Sequence, residues 1–169
     1  PAPWASTRSH NTQQTIMTSN KKELAVAALK AGTVIDRIPS TALFKAVKLL
    51  GIENLDRNVT IGNNLESRKI GKKGIIKIAD TVFPETVLNR IALIAPTAVV
   101  NTIENFEVTD KRQVELPETI TGIVRCDNPK CITNNEPMET KFHVVGHNPV
   151  VIRCHYCNHT VEGKDAKIL

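Results

Sequence analysis

All four cysteines of this 169-residue chain fall in its last 44 residues, at Cys126, Cys131, Cys154 and Cys157. They form a C-x4-C pair and a C-x2-C pair separated by 22 residues. Two short-spaced pairs flanking a loop of that length suit a tetrahedral four-cysteine zinc site: each tight turn offers two thiolates, and the loop folds one turn against the other at Zn–S distances of ~2.3 Å. Four thiolates close the shell and leave no position for water or substrate, so such a zinc is structural. The same cysteines also admit disulfides, free thiols or another metal. His143, His147, His155 and His159 lie among them, so a mixed cysteine–histidine shell stands beside the plainer reading of loop histidines around a completed all-thiolate site. A zinc held by four thiolates carries about −2 and would take the net charge from +5 toward about +3.

A second chemical feature is the basic run over residues 66–80, where Arg68, Lys69, Lys72, Lys73 and Lys77 face only Glu66 and Asp80. It reads either as a solvated basic loop or as an anion site. Lys77 stands out because it sits between Ile76 and Ile78, in a stretch with strand character over Gly74–Ala79. A rigid element would fix its ammonium and lower the entropy cost of meeting a phosphate. No Gly-x-x-x-x-Gly-Lys-Ser/Thr loop and no Gly-x-Gly-x-x-Gly fingerprint is present, so a nucleotide would have to be held by lysines and sheet-edge backbone. Asp36 is the notable carboxylate of the first half, either an exposed strand residue or a ligand contact. It has no second carboxylate at an evident distance for acid–base work, and no Gly-x-Ser-x-Gly elbow occurs. The chain is read as a non-enzyme.

The elements that position these residues follow from periodicity. Gly32–Ile38 is a β-branched run stopped by Pro39. Ser40 is placed as N-cap of a helix carrying Leu43, Ala46, Val47 and Leu50, with Gly51 at C′. Asn58–Asn64 and Gly74–Ala79 read as strands, Pro84 opens a helix running to Pro96, and Ala98–Asn101 and Asn105–Val108 are extended. Strand, helix, strand, strand, helix, strand, strand is a ferredoxin-like α+β plan with one added strand. Lys111–Thr119 leads into a small β-rich module with strands at Thr140–Val145 and Val150–Arg153. That module is too short to hold together by apolar burial alone and is expected to depend on its metal. Residues 1–20, rich in Ser, Thr, Asn and Gln, read as a disordered extension, with Met17 as a plausible start. No apolar run reaches the ~18–20 residues of a membrane span and residues 1–20 lack a signal h-region, so the expected location is cytoplasmic. The basic pI of about 9.1 suits an anionic partner without choosing one. A zinc-ribbon nucleic-acid binder is opposed by an aromatic content of 4%, poor for base stacking, and a small zinc enzyme by the missing acid–base pair.

The run Leu29-Lys30-Ala31-Gly32-Thr33-Val34-Ile35-Asp36-Arg37-Ile38-Pro39 closely resembles the first strand of the aspartate carbamoyltransferase regulatory chains. Val59-Thr60-Ile61-Gly62-Asn63-Asn64-Leu65, Gly71-Lys72-Lys73, Ile76-Lys77-Ile78, Asn105-Phe106-Glu107-Val108, Leu116-Pro117 and the cysteine module follow in that family's order. The resemblance implies an effector domain over residues 21–112 that binds CTP and ATP, and a zinc domain over residues 113–169 that docks on the catalytic chain. It also implies regulatory dimers bridging catalytic trimers, and no binding to nucleic acid or membrane. By position, Val26 and Leu29 would line the base pocket, Asp36 would bond base or ribose, and Lys77 ribose or phosphate. Asn101, Ile103, Phe106 and Val108 would frame base and sugar, and Lys73 and Lys111 would face the triphosphate. Arg37 stands where a well-studied member has His, keeping a basic group for phosphate, and Ala27 replaces a Glu. Asn128 and Tyr156 match interface positions, and Lys130 replaces an Asn there.

Overall fold

The structure, a computed structural model, describes residues 28–169. The polar tail, Met17, Val26 and Ala27 lie outside the described residues. Five strands form the first sheet: β1 (Gly32–Pro39), β2 (Val59–Ser67), β3 (Gly71–Ala79), β4 (Val99–Glu104) and β5 (Glu107–Gln113), in the order β2-β3-β1-β4-β5. All neighbours are antiparallel, which is the ferredoxin-like plan with β5 added at one edge. Alternation decides the faces. Ile35, Ile76, Ile78 and Val100 point into a core shared with Leu43 and Ala46 of helix α1 (Leu43–Leu50), and with Leu88 of the short helix α2 (Glu85–Asn89). Lys77, Asp36 and Asn101 point to the other face and are only half-buried.

Several expected boundaries move, each for a local reason. Ser40 is not an N-cap: Ser40–Ala42 is a 3-10 turn entered from Pro39, and the Ser40 hydroxyl is buried with no partner among the described residues. Gly51 does end α1, at φ 61°, where its N–H reaches the Lys48 and Val47 carbonyls. Pro84 sits just before α2, which winds into a 3-10 turn over Arg90–Leu93. The basic run is not a loop. It is the β2–β3 hairpin, with Glu66 ion-paired to Lys72 across the strands. The last hairpin turns at Asn105 and Phe106, both at positive φ (50° and 66°), instead of before Asn105. Paired left-handed residues match the twist of a tight hairpin, so β5 begins at Glu107 and takes in Lys111, which the sequence pattern places in the linker.

After Pro117 the chain forms a second antiparallel sheet, β10-β9-β8-β6, from β6 (Thr119–Thr121), β8 (Lys141–His147), β9 (Val150–Cys154) and β10 (Thr160–Glu162). The strands β7 (Val124–Arg125) and β11 (Lys167–Ile168) pair beside it, and a single helical turn, α3 (Ile132–Asn135), follows Cys131. Buried residues of both halves form one continuous cluster. The halves approach closely at Gly163, where a Cβ would lie 2.1 Å from the Leu93 carbonyl oxygen, so only glycine fits. Lys45 and Lys48 of α1 reach across, donating to the Lys164 and Ala166 carbonyls and to the Ile168 carbonyl respectively. No helix among the described residues is long and apolar enough to cross a membrane.

Candidate functional site

On the face of the first sheet away from the helices, strand register builds a cleft. Thr60, Lys77, Val34, Asn101 and Lys111 stand directly opposite one another across β2, β3, β1, β4 and β5. A cavity of about 280 Å³ opens over this row, lined by Ala28, Leu29, Val34, Ile75, Lys77, Asn101, Ile103, Phe106 and Val108. That is near the lower edge of the ~300–1,000 Å³ usual for ligand sites, and the mix of apolar walls with one cation and one amide is typical of them. The Phe106 N–H donates to the Lys30 carbonyl at 2.9 Å, which fixes the hairpin tip beside Leu29. Six residues expected from the sequence, Leu29, Lys77, Asn101, Ile103, Phe106 and Val108, therefore meet in one place. Ala28, Val34 and Ile75 join them, though no sequence motif marks these three as ligand contacts.

The remaining expected residues are placed differently. Val26 lies outside the described residues. Asp36 accepts from Lys73 Nζ at 2.7 Å and from the Arg37 N–H at 2.7 Å, so Asp36 and Lys73 hold each other next to the cleft without lining it. Arg37 has φ 57° and marks a bulge in β1, where the pairing with β3 shifts between Ile35 and Ile38. Lys111 is exposed at the end of the cross-sheet row. Burial holds the Lys77 ammonium below the ordinary lysine pKa, while the negative charge of Asp36 works in the opposite direction. A partly desolvated cation of this kind is attracted strongly to an anion entering the same low-dielectric cleft.

The four cysteines converge at the other end of the chain, with their sulfurs all within 4.8 Å of one another. Cys126 Sγ is 3.6 Å from Cys157 Sγ, and Cys131 Sγ is 3.8 Å from Cys154 Sγ. A disulfide needs ~2.05 Å, so the thiols are unpaired. Tetrahedral bonds of ~2.3 Å put sulfurs about 3.8 Å apart, and the donor set fits a metal ion. The cluster contains no histidine: His143 Nε2 and His155 Nδ1 bond each other at 2.9 Å. Burial pushes the Cys126 and Cys154 thiols up. At Cys157 burial also acts upward, but the His159 N–H and the side chains of Asn128, Cys126 and Cys131 outweigh it and lower the thiol to about 7. A divalent cation held by the cluster would offset the burial cost at Cys126 and Cys154 by displacing their protons.

Asparagines brace this cluster, and no sequence motif announces them. Asn134 Nδ2 donates to the Cys126 and Asn128 carbonyls at 2.9 and 2.8 Å. Asn135 Nδ2 donates to the Pro129 and Cys131 carbonyls, and the Thr133 hydroxyl reaches Cys131 Sγ at 3.2 Å. Of the expected interface residues, Asn128 is largely structural, its Oδ1 accepting from the Lys130 N–H at 3.0 Å to close the first cysteine turn. Lys130 is exposed, and Tyr156 is 39% exposed with its hydroxyl donating to the Glu139 carbonyl.

Two family models match the chain. Residues 24–115 match the aspartate carbamoyltransferase regulatory chain, allosteric domain, and residues 118–167 its metal binding domain. Over 153 residues the chain is 52% identical to the aspartate carbamoyltransferase regulatory chain of Phocaeicola vulgatus, spanning 90% of this chain and 99% of that one. The regulatory chain of Bacteroides fragilis is 53% identical over 153 residues (90% and 100%), and that of Pyrococcus horikoshii 46% over 145 residues (85% and 95%). With its cleft inside the segment matched to the allosteric domain and its thiol cluster inside the segment matched to the metal-binding one, the chain belongs to the aspartate carbamoyltransferase regulatory-chain family and is a regulatory, non-catalytic subunit.

Proposed function

We propose that this chain senses CTP and ATP for an aspartate carbamoyltransferase complex of pyrimidine biosynthesis in the cytoplasm. The two nucleotides compete for the cleft over Lys77, in an effector domain of residues 21–112. A Zn2+ held by Cys126, Cys131, Cys154 and Cys157 organises residues 113–169 for docking on the catalytic chain, with Lys130 and Tyr156 at the contact and Asn128 shaping it. Regulatory dimers joining catalytic trimers would place the chain between effector and reaction. The observation that carries this reading is the row Lys77, Val34, Asn101, Lys111, which sets an apolar cleft between two cations on one sheet face.

Regulation through such a chain is a coupling free energy of ~1–3 kcal/mol: each nucleotide must bind one quaternary state more tightly than the other, since equal affinity shifts nothing. In that scheme Lys77 takes ribose or phosphate, Asp36 holds Lys73 beside the triphosphate path, and Leu29, Ile103, Phe106 and Val108 exclude water from base and sugar. The zinc contributes no step of the reaction. It fixes the docking turns. Calorimetric titration of CTP and ATP into the purified chain, with zinc measured on the same sample, tests the whole reading. Expected are saturable competitive binding, one zinc per chain, and at least tenfold weaker binding in Lys77→Met. Absence of nucleotide binding by zinc-loaded chain overturns it.

A further inference from the structure

A second cavity, about 310 Å³, opens between the two halves of the chain and shares no residue with either site described above. One wall belongs to α2 and the turn that follows it, the other to β6 and the segment leading into β7. Its floor is apolar, with Leu93 and Ile120 at 2% and 4% exposure. The polar residues around it include Arg90, Thr86, Thr119 and Thr121, all exposed at its rim and none with a side-chain partner among the described residues. No carboxylate among the described residues lines it.

A few unpaired polar groups converging over an apolar floor are the ordinary make-up of a small-molecule site. The signs here are one-sided. A guanidinium offers five donors in a fork that matches a carboxylate or phosphate, and threonine hydroxyls at the rim can donate to an anion held there. We propose that this cleft binds a small organic anion, a carboxylate or phosphate ester on a single-ring or short aliphatic body, with Arg90 taking the charge and Leu93 and Ile120 the apolar part. The inference stands apart from the CTP/ATP reading. Because the walls come from different halves, an occupant contacts both at once and favours arrangements in which they are close.

The test uses the full chain with its metal and phenyl phosphate as the probe, followed through backbone amide shifts and the Arg90 Nε–H signal. Expected are saturable shifts at Thr119–Thr121 and Arg90, binding at least tenfold weaker in Arg90→Gln, and similarly weak binding of the neutral probe benzyl alcohol. Thr121→Val, which keeps the charge, should weaken binding several-fold. Thr121 and Arg90 are both exposed at the cleft rim, with no side-chain hydrogen-bond partner to lose among the described residues, so neither change threatens the fold. No saturable shift, shifts confined to the cleft around Lys77, or affinity unchanged in both variants overturns the proposal.

Discussion

In the five-stranded half, Ile35, Ile38, Leu43, Ile76, Ile78 and Ile91 are completely enclosed, whereas after Pro117 only Val124, Phe142 and Ile152 are, beside Cys154. The first half holds a two-layer core of branched aliphatics between sheet and helices. In the second, the sulfurs occupy the place where a core would sit, and short strands radiate from them. The difference teaches how each half meets the cost of ordering its chain: one by apolar area, which scales with the number of residues folded, the other by metal ligation, which does not. The site chemistry follows the same division. The first half has area to spare and leaves a cleft open on the sheet face, while the second commits every thiol to holding itself together.

Removing the metal is the largest test of this contrast. Metal binding in such modules contributes on the order of 10 kcal/mol of folding free energy. Chelation should collapse the amide spectrum and hydrogen-exchange protection of residues 119–169 while β1–β5 stay protected. Loss of both halves together would show that the continuous core, not the metal, sets the unit of folding. Protection unchanged in both would show that the cysteines need no ion.

Next in size is the seam. Gly163→Ala drives a Cβ into the Leu93 carbonyl at 2.1 Å, an overpacking that costs about 1–3 kcal/mol. Denaturant melting should lose stability and separate into two transitions, one for each half. Gly51→Ala is the control: φ is 61° but nothing lies within 4 Å of an added Cβ, so it should cost about 1 kcal/mol and keep one transition. A smaller effect is expected for Lys45→Met with Lys48→Met. Their bonds to the C-terminal carbonyls are worth about 0.5–1.5 kcal/mol each. Amide exchange should quicken at β11 and in the Gly163–Asp165 turn while β1–β5 stay protected. Unchanged exchange would reduce these lysines to surface decoration.

The contrast also explains what can be read from the sequence. The thiol cluster is legible because its information is local: C-x4-C and C-x2-C turns present sulfurs whatever surrounds them. The strands and their faces are legible because alternation at Ile76-Lys77-Ile78 and the β-branched run at Val34-Ile35 mark which side chains turn to the core. What escapes the sequence depends on pairing. The hairpin tip moves to Asn105-Phe106 because both residues accept left-handed backbone in a tight turn, which no hydrophobic pattern reports. Asp36 and Lys73 are each expected to meet ligand separately, but the β1 bulge at Arg37 brings them to 2.7 Å of each other. Val34 and Ile75 enter the cleft through register alone. The reach of Lys45 to carbonyls more than a hundred residues away has no sequence signal at all.

The smallest predicted effect concerns Lys77 itself and works against intuition. Burial lowers its pKa below 10.5 despite Asp36, so the charged amine is less favourable in the folded chain than in the unfolded one. Between the lowered value and 10.5 the unfolded chain binds more protons, and stability rises with pH across that window. Below it the full penalty remains. Lys77→Met removes the penalty while keeping the length of the side chain, so denaturant melts should show a modest gain in stability at pH 7 that shrinks as pH approaches 10.5. A variant that is less stable at both ends would mean that contacts made by the ammonium outweigh its desolvation. On the nucleotide reading proposed above, an incoming triphosphate would add negative charge to that of Asp36, raise the pKa back, and draw a proton onto the protein in alkaline solution. Calorimetry in buffers of different ionisation enthalpy would read that proton directly, and its absence in Lys77→Met would assign it to this side chain.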